Sequence, residues 1–255
     1  MKARIGGRDF AYEFFGGGKP LVLLHAFPFD GQMWTATAQA LSSRCRVMVP
    51  DMRGFGESTL GDGAPSIADM ADDVAAMLDG LGIQRLTVGG LSMGGYVALA
   101  FAARHPARLE RLILADTRAA ADSEVARAGR ADALALVDKE GVAALVERQL
   151  GVLLSSSASE ALRAQVRVLG KQSPEGVKAG IRALRDRPDR QSELTAIRCP
   201  TLVIVGKEDK ISPPAEMSVV ASAISGARLV EIAGAGHLSN LENPNDFVSA
   251  ITNFI

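Results

Sequence analysis

Short apolar runs alternate with segments of helical periodicity along most of this chain, and this rhythm restricts the fold more than any other feature. Several runs are nearly continuous in Val, Ile and Leu, which is typical of strands buried on both faces of a parallel sheet. Helical spacing occurs between the runs, in segments such as Ile67–Leu81, Met93–His105 and Ala215–Ile224. The predicted strands are Ala11–Phe15, Leu21–His25, Arg46–Pro50, Leu86–Gly89, Leu112–Ala115, Thr201–Val205 and Arg228–Ile232. The alternation predicts an α/β fold, with a mostly parallel central sheet flanked by helices.

One stretch, from about Asp122 to Arg187, has no strand pattern and contains four helix-like segments in succession. Its helix-start and helix-stop signals are Gly141, Gly151, the capping-box spacing of Ser157 and Glu160, and Ser173 followed by Pro174. An insertion of this length is not a plain connection between neighbouring strands. We predict that residues 118–194, called the cap below, form a lid over one end of a core made of residues 1–117 and 195–255. The alternative is a helical subdomain without a role at the site.

The composition excludes several classes of protein. A hydrophobic fraction of 47% with 22% charged residues is incompatible with a largely disordered chain. The 28 Lys and Arg residues nearly balance the 29 Asp and Glu residues, so no general charge attracts nucleic acid or anionic membranes. Cys45 and Cys199 each begin an apolar run, and we interpret both as core residues. We expect a soluble, cytoplasmic protein, because neither a leader nor a membrane-spanning stretch is evident. We also expect a monomer or homodimer with no nucleic-acid or membrane partner.

The segment Gly90-Leu91-Ser92-Met93-Gly94 fits the pattern Gly-x-Ser-x-Gly. The pentapeptide alone is a weak signal, but it follows a predicted strand and precedes a predicted helix. A sharp turn at this point would expose Ser92 Oγ at the carboxyl end of the strand, and the flanking glycines would leave room for the turn. We therefore predict that Ser92 is a nucleophile; the alternative is a glycine-rich turn with an incidental serine.

A serine nucleophile needs a base, and the chain has only three histidines. His105 lies at a helix end and His25 ends an early strand, so we interpret both as structural. His237 lies in a glycine-containing loop just after a predicted strand, and we favour it as the base.

The imidazole in turn needs a carboxylate to orient it. Asp209 follows the preceding strand in a turn, which makes it the preferred acid. Asp116 also ends a strand and is the alternative, whereas Glu208 would point elsewhere.

Acyl transfer also requires N–H donors for the tetrahedral oxyanion. The backbone N–H of Met93 follows the nucleophile directly, and the N–H of Phe27 lies in the loop after an early strand. We predict that these two groups form the oxyanion hole, and that Phe27, Met93 and Leu238 border the substrate. No cofactor or metal is expected.

Over essentially its whole length the chain resembles an α/β-hydrolase. Several ordered motifs carry the resemblance: His25-Ala26-Phe27-Pro28, Asp51-Met52-Arg53-Gly54-Phe55-Gly56-Glu57-Ser58, the Ser92 turn, Gly206-Lys207-Glu208-Asp209 and Gly234-Ala235-Gly236-His237. The order Ser92, Asp209, His237 matches the nucleophile, acid and base of such enzymes. The resemblance implies an α/β-hydrolase fold with a helical cap inserted after the sixth strand. It also implies that Trp34, included among the substrate-site candidates, packs behind the oxyanion loop in preference to contacting substrate. Ala26 departs from the glycine that many relatives have.

Two further segments, Asp116–Ala119 and Gly236–Glu242, are similar to 3-oxoadipate enol-lactone hydrolases and small bacterial carboxylesterases. We therefore expect a carboxylesterase that cleaves small to medium esters through an acyl-enzyme. The alternatives are an enol-lactonase, a C–C bond hydrolase, a perhydrolase, or a ligand receptor built on the hydrolase fold. The cap has 13 Lys and Arg residues against 11 Asp and Glu, a balance too small to decide whether the ester or lactone substrate is anionic. Aliphatic cap residues at helical spacing are interpreted mainly as packing: Leu134, Val137, Leu145, Val146, Leu150 and Leu153.

Overall fold

The computed structural model describes residues 1–255 and contains one eight-stranded sheet. The strands are β1 (Lys2–Ile5), β2 (Arg8–Phe15), β3 (Pro20–Leu24), β4 (Arg46–Pro50), β5 (Leu86–Leu91), β6 (Leu109–Ala115), β7 (Thr201–Gly206) and β8 (Arg228–Ile232). All seven predicted strands are present, and some are longer than the apolar run from which they were predicted. The sequence reasoning missed β1, because a short edge strand with alternating exposure carries little hydrophobic signal.

The strand order is β1-β2-β4-β3-β5-β6-β7-β8. β2 pairs antiparallel with both β1 and β4, whereas every other pair is parallel. The prediction of a mostly parallel sheet is confirmed. Since the parallel strands share one direction, the chain segments that follow β5, β6, β7 and β8 all emerge at the same edge of the sheet.

Ten helices accompany the sheet: α1 (Thr35–Leu41), α2 (Ile67–Gly80), α3 (Met93–Arg104), α4 (Glu124–Glu140), α5 (Val142–Leu153), α6 (Glu160–Leu169), α7 (Pro174–Arg185), α8 (Pro214–Ala223), α9 (Ser239–Glu242) and α10 (Pro244–Thr252). The helices α1 and α10 pack together in the apolar core on one face, and α2 and α3 pack in the core on the other. None of the ten is long and apolar enough to cross a bilayer.

Four of these helices, α4 to α7, lie between β6 and β7, within the cap. Ser173 caps α7 by accepting from Gly176 N–H, with Pro174 at the first helical position, as predicted. Gly141 ends α4, also as predicted.

Two details of the cap prediction are wrong. Helix α5 continues through Gly151 to Leu153, since one exposed glycine costs a helix only about 1 kcal/mol. The residue that caps α6 is Ser159, whose hydroxyl accepts from Leu162 N–H, and not Ser157. Ser157 lies two residues too early, where its hydroxyl is close to that of Ser155.

Candidate active site

Ser92 lies on the tight turn between β5 and α3, with φ 55° and ψ −114°. A serine with positive φ is sterically unfavourable and persists only where the surroundings hold it. The neighbouring glycines make the turn possible: a Cβ on Gly90 would lie 2.0 Å from the Gly94 carbonyl oxygen, and one on Gly94 would lie 2.1 Å from that of Leu24. The sequence pattern therefore reflects close backbone approaches, which leave no room for side chains at these two positions.

Three predicted residues meet at the carboxyl edge of the sheet. Ser92 Oγ lies 2.8 Å from His237 Nε2, and His237 Nδ1 lies 2.8 Å from Asp209 Oδ2. His237 and Asp209 are almost wholly buried, at 2% and 4% exposure. With the imidazole proton on Nδ1, the ring donates to Asp209 and its Nε2 can accept the hydroxyl proton of Ser92. This arrangement is suited to activating a serine hydroxyl.

Several donors hold the Asp209 carboxyl in place. Its Oδ1 accepts from Ile211 N–H at 2.7 Å and from Ser212 N–H at 3.0 Å, and Ser212 Oγ donates to Oδ2. Burial raises the pKa of Asp209, but the hydrogen bond and charge of His237 and these backbone donors outweigh it. They hold the pKa below its ordinary value. The carboxyl is thus ionised at neutral pH, as a partner of an imidazolium must be.

Asp116, the alternative acid, makes no hydrogen bond to His237. It is fully buried, with φ 43°, and Gly206 N–H donates to its Oδ1 at 2.8 Å while Ser239 Oγ hydrogen-bonds its Oδ2. Burial, and then the charge of Asp209, raise the pKa of Asp116 well above its ordinary value. Its hydrogen bonds join the end of β7 to the segment just after His237, so Asp116 helps to hold these two segments together.

The other two histidines are engaged elsewhere. His25 is buried, and its Nε2 accepts from Met52 N–H at 2.9 Å. Its burial lowers its pKa. His105 Nε2 lies 2.8 Å from Asp72 Oδ1, on the surface of the α2–α3 pair. Both arrangements agree with structural roles.

The two predicted oxyanion donors lack protein acceptors. The N–H of Phe27 makes no hydrogen bond, and the N–H of Met93 is the first of α3, which has no partner within its helix. Ala26 has a negative φ, so the alanine in place of glycine imposes no backbone strain. Its N–H is directed to Met33 Sδ at 3.1 Å.

A cavity of about 80 Å³ adjoins Ser92. It is lined by Phe27, Ser92, Tyr96, Arg130, Gln149, Val152, Leu153, Leu184, Ile211 and His237. Five of these residues belong to the cap, so the cap supplies half of the wall. The three remaining substrate-site candidates, Met93, Leu238 and Trp34, do not line the cavity. Each is at most 1% exposed, because the first two turn into the core and Trp34 packs against Phe247.

A sequence profile described as "alpha/beta hydrolase fold" matches residues 19–244. The chain belongs to the α/β-hydrolase family. A thermophilic esterase from Thermogutta terrifontis, solved with malate bound, is 40% identical, with 99% of this chain and 96% of that chain covered and a TM-score of 0.95. The enol-lactonase from Burkholderia xenovorans LB400 is 32% identical, with 100% and 99% covered and a TM-score of 0.92. A pimeloyl-[acyl-carrier protein] methyl ester esterase from Aeromonas hydrophila is 31% identical, covering 95% of this chain and 98% of its own.

Sequence reasoning missed several wall residues of this hydrolase, most notably Tyr96 and Arg130. Tyr96 lies in the first turn of α3, four positions after Ser92 at the start of that helix, so helical spacing could have identified it. Arg130 could not be distinguished from the cap's twelve other basic residues, because facing inward depends on how the cap packs.

Arg130 is the only Lys, Arg, Asp or Glu side chain that lines the cavity of the hydrolase. Its Nε donates to Asp122 Oδ2 at 3.0 Å, and its two terminal nitrogens have no acceptor in the protein. Asp122 is also bound by buried Arg187, whose guanidinium carbon lies 4.3 Å from the centroid of the Tyr96 ring. Burial raises the pKa of Asp122, but the two guanidinium groups outweigh it and hold the pKa below its ordinary value. Arg130, Asp122 and Arg187 together carry a net charge of +1.

A larger concavity of the hydrolase, about 790 Å³, lies elsewhere. It is an open groove at the amino ends of β6 and β7, with Leu99, Leu109 and Cys199 among its residues. It contains no serine, histidine or aspartate. The smaller cavity is therefore the candidate substrate site, because it is lined by Ser92 and His237 and the larger groove is not.

Proposed function

We propose that this hydrolase cleaves carboxylic esters through an acyl-enzyme on Ser92. The single observation that carries the proposal is the continuous hydrogen-bonded chain Asp209–His237–Ser92, which ends in a cavity between the core and the cap. A buried serine–imidazole–carboxylate chain has one well-established use, the activation of a hydroxyl for attack on a carbonyl.

In the first half of the reaction, Ser92 Oγ attacks the ester carbonyl carbon while His237 Nε2 takes the hydroxyl proton. The N–H groups of Phe27 and Met93 then donate to the tetrahedral oxyanion; one such donor is worth roughly 10²–10³ in kcat. The imidazolium, stabilised by Asp209, returns the proton to the leaving oxygen as the C–O bond breaks. The alcohol departs and the acyl group stays on Ser92.

In the second half, His237 Nε2 takes a proton from water, and the hydroxide attacks the acyl carbonyl. The second tetrahedral intermediate collapses, Ser92 Oγ leaves with the proton from His237, and the carboxylic acid is released. No other group is needed for the balance of atoms and charge. We also propose that residues 118–194 act as a cap, because five of their side chains form half of the cavity wall.

A direct test is hydrolysis of p-nitrophenyl esters from acetate to dodecanoate, with Ser92→Ala as the matched control. We expect turnover with the shorter acyl chains, which suit a cavity of about 80 Å³. Ser92→Ala should lower kcat by at least about 10⁴-fold. Turnover that is equal in the wild type and Ser92→Ala would refute the proposal.

The anionic subclass of substrates, an ester or lactone that carries a carboxylate, is the second candidate, and Arg130 favours it. Its unpaired terminal nitrogens are the donors that bind a carboxylate in a bidentate manner, and no Asp or Glu lines the cavity to oppose one. Two relatives agree with this proposal: one is an enol-lactonase, and another was solved with malate bound.

The anionic subclass is tested with monomethyl adipate and its neutral partner, dimethyl adipate. Arg130→Leu should raise KM for the monoester by 10-fold or more, since a hydrogen bond to a charged group is worth about 1.5–3 kcal/mol. The KM for the diester should change little. Arg127→Leu, one turn earlier on α4 and exposed, is the control. Equal effects of Arg130→Leu on both esters would refute carboxylate recognition.

A further inference from the structure

The loop that carries His237, residues 233–238 and called the base loop below, is fixed to the cap as well as to the core. His237 N–H itself donates to the Leu153 carbonyl oxygen at 3.0 Å, and Leu153 belongs to the last turn of α5. A Cβ on Gly236 would lie 2.7 Å from Ser155 N, so this loop and the cap backbone are in close contact. Residues 151–155 of the cap, called the α5 edge below, therefore abut the base directly.

Glu242 bridges the two segments with one carboxylate. Its Oε1 accepts from Gly236 N–H at 2.7 Å, and its Oε2 accepts from Ser155 N–H at 2.9 Å. Gly236 precedes the base, and Ser155 is 1% exposed in the α5 edge. A carboxylate is suited to this place because it offers an acceptor to each donor, whereas an amide offers only one acceptor oxygen. Two charge-assisted bonds thus tie the cap to the base loop.

The loop that carries Asp209 contacts the same edge. Lys210 directly follows Asp209 in sequence, and its Nζ donates to the Gly151 carbonyl oxygen at 3.2 Å. Leu153, which accepts from His237 N–H, also lines the cavity beside Ser92. One short segment of the cap therefore contacts the substrate cavity, the base loop and the loop that carries Asp209.

We infer that Glu242 is a positioning residue that couples the seating of the cap to the placement of the His237 imidazole. A displacement of the α5 edge breaks the Ser155–Glu242 bond and the bond to His237 N–H in the same movement. The base is then held from the core side only, and its Nε2 loses its alignment with Ser92 Oγ. The inference rests on the proposed function, because it takes His237 as the base.

Loss of the bridge should leave the fold intact, because the base loop keeps its bonds to the core. Glu208 N–H donates to the Ala235 carbonyl oxygen at 2.8 Å, and Ser239 remains bound to Asp116. This separation of roles makes the coupling testable by substitution.

The experiment compares Glu242→Gln and Glu242→Ala with the wild type on the p-nitrophenyl ester that gives the highest Ser92-dependent turnover. Glu231→Gln is the matched control, since the Glu231 side chain is exposed on β8 and makes no hydrogen bond or ion pair. Amide hydrogen exchange of the full chain is followed by mass spectrometry in peptides that cover residues 151–157 and 233–240.

We expect Glu242→Gln to lower kcat by about 10- to 100-fold, the effect of an ångström-scale misplacement of a catalytic group. KM should stay within threefold, and exchange should become faster in both peptides together. Glu231→Gln should match the wild type in all three measurements. A purely structural role for Glu242 would lower the melting temperature without this separation of kcat from KM.

A Glu242→Gln enzyme with kcat within twofold of the wild type overturns the coupling, as does faster exchange in only one peptide. Should Glu242→Ala fail to fold, Glu242→Gln decides the question. If the wild type shows no Ser92-dependent turnover, the proposed function fails, and the exchange experiment still decides whether Glu242 joins the two segments.

Discussion

Asp116→Asn should make the hydrolase more stable at neutral pH and less stable at low pH. The side chain of Asp116 is fully buried, with Gly206 N–H on Oδ1 and Ser239 Oγ on Oδ2. Asparagine has nearly the same shape, accepts from Gly206 with its oxygen, donates to Ser239 with its nitrogen, and tolerates the positive φ. The substitution thus removes a titratable group while keeping both contacts.

The magnitude follows from the direction of the pKa shift. Burial and the charge of Asp209 raise the pKa of folded Asp116 well above its ordinary value of 3.8. Between these two values the folded protein binds one more proton than the unfolded chain, so stability falls as pH rises. The fall is about 1.4 kcal/mol per pH unit and ends at the folded pKa. Asparagine has no such slope, but one of its amide hydrogens lacks an acceptor, which costs about 1 kcal/mol at low pH.

The assay is thermal unfolding of both proteins at pH 4, 5, 6, 7 and 8. We expect Asp116→Asn to melt a few degrees lower at pH 4 and higher from about pH 5–6 upward, at about 2–4 °C per kcal/mol for a chain of this size. Asp116→Ala, which leaves the buried Gly206 N–H unsatisfied, should be less stable throughout. A difference between the wild type and Asp116→Asn that is independent of pH would refute the raised pKa.

Two further predictions test the packing around the site. Gly94→Ala should prevent folding or lower the free energy of unfolding by more than about 3 kcal/mol, because its Cβ would lie 2.1 Å from the Leu24 carbonyl oxygen. Its control is Gly151→Ala, which should raise the free energy of unfolding by about 0.5–1 kcal/mol, because a Cβ at this position within α5 meets no other atom. Equal melting temperatures for the two variants would contradict the clash. Trp34→Phe should leave KM within twofold and change stability by less than about 2 kcal/mol, since lost packing on Phe247 is partly offset by removing a buried indole N–H without an acceptor. A tenfold rise in KM at an unchanged melting temperature would instead place Trp34 in contact with substrate.

Local patterns predicted most of the scaffold of this hydrolase. Strands such as β7 are continuous apolar runs with glycine or proline at their ends, so both their existence and their limits can be read from composition. The turn at Ser92 was predictable for a different reason, since close backbone approach admits only glycine at Gly90 and Gly94. Where the local signal is weak, prediction failed: β1 was missed, and Gly151 was taken for a helix end.

The wall of the cavity could be predicted much less well. Leu238 and Met93 are neighbours of His237 and Ser92 in sequence, yet both side chains point into the core. Tyr96, four residues beyond Ser92 in the first turn of α3, reaches the cavity. Position along the chain fixes which backbone passes the site, but the direction of each side chain depends on the turn or helix that carries it.

The sequence by itself determined the alternating sheet and helices, the turn at Ser92, and the short set of candidates from which Asp209 and His237 were chosen. These features depend on interactions between residues near one another in the chain, so their residue types and spacing carry the information. Only the tertiary structure decided that Arg130 faces the cavity and that Glu242 joins the base loop to the cap. Those contacts bring together residues far apart in the chain, for example Ser155 and Glu242, and they exist only after the cap has packed on the core.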